Sequence, residues 1–187
     1  METELKVKSN YNIMKKNVFL IAIFAVAMLF SNETTAQKFR SLDKSPLDLA
    51  SYRTKADGVK VKVFYSRPQL KGRRINKLIP EGKLWRLGAN EATEITFKND
   101  VVFGGKSVKA GTYSMFAIPG KDEWTIILNK DVDVWGHYSY KENEDVVRVK
   151  GKVSSSMAPM EAFSITFDKD MNLYLGWGYT VVKVEIK

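Results

Sequence analysis

The chain has no cysteine, and His137 is its single histidine among 187 residues. Without thiols there is no disulfide to staple the fold, no zinc–thiolate site and no cysteine nucleophile. A lipoprotein anchor, which needs a cysteine at the cleavage point, is closed for the same reason. One imidazole cannot form a histidine cluster around a transition metal, and any Ser-His-Asp triad would have to use His137. No serine lies in a G-x-S-x-G setting. Asp168-Lys169-Asp170-Met171-Asn172 begins like a calcium loop, but Leu173 replaces the sixth-position glycine and Tyr179 the twelfth-position glutamate. We read that run as a polar turn and expect neither metal nor cofactor. Acidic residues are also in deficit: 30 Lys and Arg face 21 Asp and Glu, a net charge of +9.

What is present begins with a leader. Lys15 and Lys16 precede thirteen mostly apolar residues, 18–30, and then the polar stretch SNETTA. That is the charged region, short apolar region and small-residue cleavage site of a secretory signal peptide, with Thr34 and Ala36 at its −3 and −1 positions. Thirteen helical residues reach roughly 20 Å against a hydrocarbon core of ~30 Å, too short to span it. The expected organisation is a signal peptide over 1–36, with 1–13 a polar prefix ahead of an alternative start at Met14, and one domain over 37–187. The expected location is periplasmic or secreted, with no transmembrane segment in the mature chain. Removing the leader takes away four cations and three anions, leaving 26 Lys and Arg against 18 Asp and Glu. An exported basic protein meets lipid head groups, lipopolysaccharide phosphates and acidic glycans rather than nucleic acid.

The mature part reads as strands. Val59, Val61, Val63 and Tyr65 alternate with Lys60, Lys62 and Ser66. Phe163, Ile165 and Phe167 alternate with Ser164, Thr166 and Asp168, and Val182, Val184 and Ile186 with Lys183, Glu185 and Lys187. Period two with β-branched and aromatic residues on one side marks half-buried antiparallel strands. Asn99-Asp100, Gly104-Gly105, Ala110-Gly111 and Pro119-Gly120-Lys121-Asp122 supply the turn chemistry that cuts the middle of the chain into short strands. These signals predict an all-β, antiparallel β-sandwich, jelly-roll or Greek-key-like, of about nine to ten strands.

Between early and central strands lies one long irregular segment, from Tyr65 to Thr93. It carries seven cations (Arg67, Lys71, Arg73, Arg74, Lys77, Lys83, Arg86) against Glu81 and Glu91. A loop of that length inside a compact domain is functional or disordered. Ile75, Leu78, Ile79, Leu84, Trp85 and Leu87 give it apolar anchors that a disordered segment lacks. An ordered basic loop is expected, with any helix short and inside it.

The motifs YSRPxxKGR (65–73), KxWRxGANExT (83–93), AGTYxxFxIPGxxEWTIIxNK (110–130) and a downstream Trp177-Gly178 resemble an exported bacterial family, the domain of unknown function DUF2911. The resemblance runs from about Ser45 to Lys187. Relatives often carry IFGxLVPYGKVWR after KGR, whereas residues 75–82 here lack the Phe-Gly pair and the Tyr. The resemblance implies export and this fold, and it brings no catalytic residue.

Two constellations are candidates for a site. Arg67, Arg73 and Arg86 offer planar forks suited to carboxylate or phosphate, with Asn90 as a neutral partner. The alternative for Arg67 and Arg86 is pairing with Glu81 or Glu91, over a Trp85 packed beneath. Trp135, Tyr138 and Tyr140 around His137 offer aromatic faces that suit sugar rings, with core packing as the alternative; Trp124 and Trp177 fit core positions. The candidate ligand-binding set is Tyr65, Arg67, Arg73, Trp85, Arg86, Asn90, Glu91, Trp135 and His137. The favoured reading is a module binding an anionic glycan or phosphate-bearing envelope component. A hydrolase using Glu91 or His137, and a structural or assembly subunit of the envelope, are the alternatives.

Overall fold

A computed structural model describes residues 11, 14–19 and 37–187. Most of the apolar leader and the expected cleavage point at Ala36 lie outside the described residues. Residues 14–19 are helical. No helix among the described residues is long and apolar enough to cross a membrane. Residues 1–41 and 42–187 are separate compact units.

Residues 42–187 build nine strands: β1 (Leu47–Thr54), β2 (Gly58–Ser66), β3 (Thr93–Phe97), β4 (Val101–Phe103), β5 (Lys106–Val108), β6 (Gly111–Ile118), β7 (Glu123–Asn129), β8 (Asp145–Phe167) and β9 (Leu173–Val184). The all-β antiparallel class and the strand count are as the alternation indicated. Seven strands form one antiparallel sheet in the order β1-β2-β3-β6-β7-β8-β9, curled into a half-barrel, so the two facing layers are halves of a single sheet. The β4–β5 hairpin stands apart, and the chain's last residues extend it through the reciprocal bonds between Val102 and Lys187 (2.7 and 2.9 Å).

The concave side holds the core. Val61, Val63 and Tyr65 of β2, Ile95 and Phe97 of β3, Met115 of β6, and Ile126 and Leu128 of β7 are buried there, each two residues from the next, as a one-sided sheet requires. A smaller cluster on the other face joins Ala92, Phe116 and Ile127, with Leu84, Ile118, Val134 and Tyr140 packed on it. That second cluster is where the 130–144 loop lies down on the sheet.

β8 is 23 residues long because it bends. Its pairing with β9 is interrupted between Ser155 and Met160 and again between Met160 and Ser164, and bulges of this kind re-aim a strand. The bend brings its second half to the segment after β2: Leu70 N–H donates to Glu161 O (2.9 Å) and Phe163 N–H to Pro68 O (2.9 Å). Gly104-Gly105, both at positive φ, turn β4 into β5 as read from sequence. The Asp168–Asn172 run is a polar turn: the Asp168 carboxylate accepts the backbone N–H groups of Asp170 and Asn172, both at 2.9 Å.

The basic loop is ordered and packed. It contains one helical turn, Ile75–Leu78, and its Ile79, Trp85 and Leu87 are buried. Trp85 exchanges backbone bonds with Ala117 of β6, both 2.8 Å, which fastens the middle of the loop to the sheet.

Candidate functional site

The nine candidate residues separate into three places. Tyr65 and Trp85 are in the core. The Tyr65 ring stands edge-on to Phe163, and its hydroxyl reaches Asp48 at 3.2 Å; burial pushes that phenol up. Trp85 lies against Trp177, Phe163 and Trp124 and donates its indole N–H to Gly88 O at 3.0 Å. Both therefore act on any surface site through packing.

Arg67 and Arg73 are held by the fold. Arg67 donates from Nε to Phe163 O (3.0 Å), from Nη1 to Asp48 (3.1 Å) and from Nη2 to Ser164 Oγ (2.8 Å). Its guanidinium sews the β1–β2 hairpin to the second half of β8. Its carboxylate is Asp48, not Glu81 or Glu91. No local pattern marks this pairing, because Asp48 sits on the inward side of β1 while Leu47 and Leu49 face outward. Arg73 bonds Leu70 O (2.8 Å) and Gln69 O (2.9 Å), closing its own turn.

The remaining five converge. Arg86, Asn90 and Glu91 belong to a tight excursion from the loop, and Trp135 and His137 to the loop after β7. Glu91 and Trp135 form an antiparallel bridge pair, and Ala92 N–H donates to Val134 O at 3.0 Å. Arg86 reaches this patch because the backbone alternates: Trp85 and Leu87 point into the core, so Arg86 faces the opposite side. Its strand-like neighbour is Thr93, whose N–H donates to Arg86 O (3.2 Å) and whose hydroxyl donates to Leu87 O (2.6 Å). Leu87 and Asn90 take positive φ to make the turn between them. Gly136 is required at this place. A Cβ there would lie 2.7 Å from an Arg86 Nη1 and 2.9 Å from the Tyr138 ring, and its φ is +71°.

The loop that presents the aromatics is fixed at many points. Asp133 N–H donates to Glu94 (2.7 Å), Asp131 N–H to Asn129 Oδ1 (2.9 Å), and Asn129 Nδ2 to Lys141 O (2.8 Å). Tyr140 donates to Asp145 (2.7 Å), and Arg148 bonds both that carboxylate (2.7 Å) and the Tyr140 oxygen (2.8 Å). Burial, then the Asp145 carboxylate, pushes Tyr140 up to about 12, so it stays a neutral donor. On this support Trp135 is 58% exposed and Tyr138 76% exposed. Large aromatic rings left in water on a pinned loop are unusual, since each loses apolar burial of ~1.5–3 kcal/mol.

The half-buried Arg86 guanidinium donates to Asn90 O (3.3 Å) and makes no ion pair among the described residues. His137 stacks on Tyr138, with ring centroids 5.3 Å apart, and its Nδ1 is buried without a hydrogen-bond partner. Burial, together with the neighbouring Arg86 charge, lowers the imidazole below its usual range, so it is neutral near pH 7. No carboxylate or hydroxyl bonds this imidazole among the described residues. Asn90 turns its amide to Asp43 (3.1 Å) and Glu91 is exposed.

A family model described as a protein of unknown function, DUF2911, matches residues 45–186. The chain belongs to this family. No curated protein and no solved structure matches it. The matched span contains the whole nine-stranded unit, including the Arg86–Trp135 patch, the Arg67 clasp and the Trp85–Trp177 stack.

Proposed function

We propose that this member of the DUF2911 family is an exported binding domain whose Arg86–Trp135 surface holds an anionic glycan of the cell envelope. The observation that carries this reading is the meeting of the Arg86 guanidinium and the Tyr138 ring at Gly136, next to the exposed Trp135, with no ion pair to that guanidinium among the described residues. Indole and phenol faces stack on the C–H face of a sugar ring, while the guanidinium fork takes a carboxylate or phosphate group on it. The basic charge of the mature chain raises the local concentration of such a polymer.

Affinity electrophoresis through gels containing alginate, a polyuronate, or dextran, a neutral glucan, tests it. The expected result is retardation in alginate alone, weakened by added salt because exposed charges are screened within about 8–10 Å. Arg86→Ala and Trp135→Ala should each weaken retardation about tenfold, or about 1.4 kcal/mol. Equal mobility in both gels, or retention that ignores both substitutions, rejects the reading.

A further inference from the structure

Away from that patch, the basic loop overhangs a hollow of about 140 Å³ lined by Ile75, Ile79, Trp124 and Val153, with Asn76 and Lys121 among its polar neighbours. At ~30 Å³ per water this holds roughly five waters, the size of a small organic molecule. Three buried indoles meet nearby, and their N–H groups differ. Trp85 donates to Gly88 O and Trp177 to Glu161 O. The Trp124 indole N–H has no hydrogen-bond partner among the described residues, and Trp124 lines the hollow. A buried indole without a partner for its N–H, on a residue lining a hollow, is a donor left for an acceptor to satisfy.

One cation lines the hollow, Lys121, and it makes no ion pair among the described residues. Glu81 is the acidic member of the lining and limits how much negative charge can enter.

We propose that this hollow is a second binding site, for a small amphiphilic anion: a short apolar group ending in a carboxylate or phosphate. The apolar end lies against Ile79, Trp124 and Val153, and the anionic end accepts from the Trp124 indole and from Lys121. The site is independent of the Arg86–Trp135 surface.

Titration of the ¹⁵N-labelled protein with hexanoate, hexyl phosphate, hexanol and inorganic phosphate tests it, read at the Trp124 indole N–H and the Ile75–Ile79 amides. Hexanoate or hexyl phosphate should shift these resonances saturably, the tighter of the two identifying the head group. Hexanol and inorganic phosphate should bind at least about tenfold more weakly, or about 1.4 kcal/mol. Lys121→Glu should abolish the preference for the anions, and the amide spectrum of the variant reports its folding in the same measurement. Trp135→Ala should leave the titration unchanged, which separates this site from the glycan surface. No saturable shift with either anion, hexanol binding as tightly as hexanoate, or indifference to Lys121→Glu overturns the proposal.

Discussion

Trp85 lies flat on Trp177, ring centroids 5.7 Å apart and planes within 16° of parallel, although 92 residues separate them in the chain. Trp124 and Phe163 close the other sides of Trp85, at 6.0 and 5.0 Å. The loop that carries Arg86 is thus tied into the centre of the half-barrel one residue before it emerges. Trp85→Ala should remove about 3–5 kcal/mol of stability, as large-to-small changes in packed aromatic cores do. Urea unfolding measures this, and a loss below about 1 kcal/mol would mean that the stack is not a centre of the core.

The Arg67 clasp makes a different prediction. Its three donors all end on groups of the fold, so Arg67→Met should cost stability, roughly 1–3 kcal/mol for the charged hydrogen bonds and the acceptors left behind. Asp48 is 40% exposed and keeps access to water, so Asp48→Asn should cost less. Alginate retardation of the folded fraction should be unchanged in both variants. A selective loss of retardation with normal stability would return Arg67 to the binding surface.

Gly136→Ala separates backbone geometry from side-chain chemistry at the patch. The alanine would be strained at φ +71° by about 1–2 kcal/mol and would press on Arg86 and Tyr138. The expected outcome is a modest drop in denaturation midpoint together with weaker alginate retardation. Normal retardation would show that the Arg86–Tyr138 arrangement is irrelevant to binding.

His137 gives the protein a pH signature. Its folded imidazole titrates below the ordinary 6.5, so the unfolded chain takes up this proton first as pH falls. The neutral imidazole therefore contributes stability that is complete above about pH 6.5 and declines as pH drops through the interval down to the folded value. His137→Gln should flatten that part of a stability-against-pH curve. A second decline, at lower pH, should remain in the variant, because Asp168 is held below 3.8 by hydrogen bonds from Asn172. An unchanged first decline in His137→Gln would assign it to another group.

Much of the fold was legible along the chain. The alternation at Val59–Tyr65, Phe163–Phe167 and Val182–Ile186 read correctly because one face of each strand meets the core and the other meets water. β1 was not legible, since its leucines face outward and Asp48 faces inward to receive Arg67 and Tyr65. The unity of β8 was hidden for a related reason: its bulged middle, around Met157, is exposed and breaks the period.

By itself, the order of amino acids determined the all-β class, the turns, the burial of Trp124 and Trp177 and the net positive charge, because these depend on local periodicity and composition. Tertiary structure alone decided which arginine is available. Arg67 and Arg86 are equivalent as residues in a basic loop, but the bend of β8 delivers Ser164 and the Phe163 carbonyl to one, and no carboxylate to the other. Two of Arg67's three partners come from a chain segment roughly a hundred residues away, and local sequence carries no record of what that segment will bring.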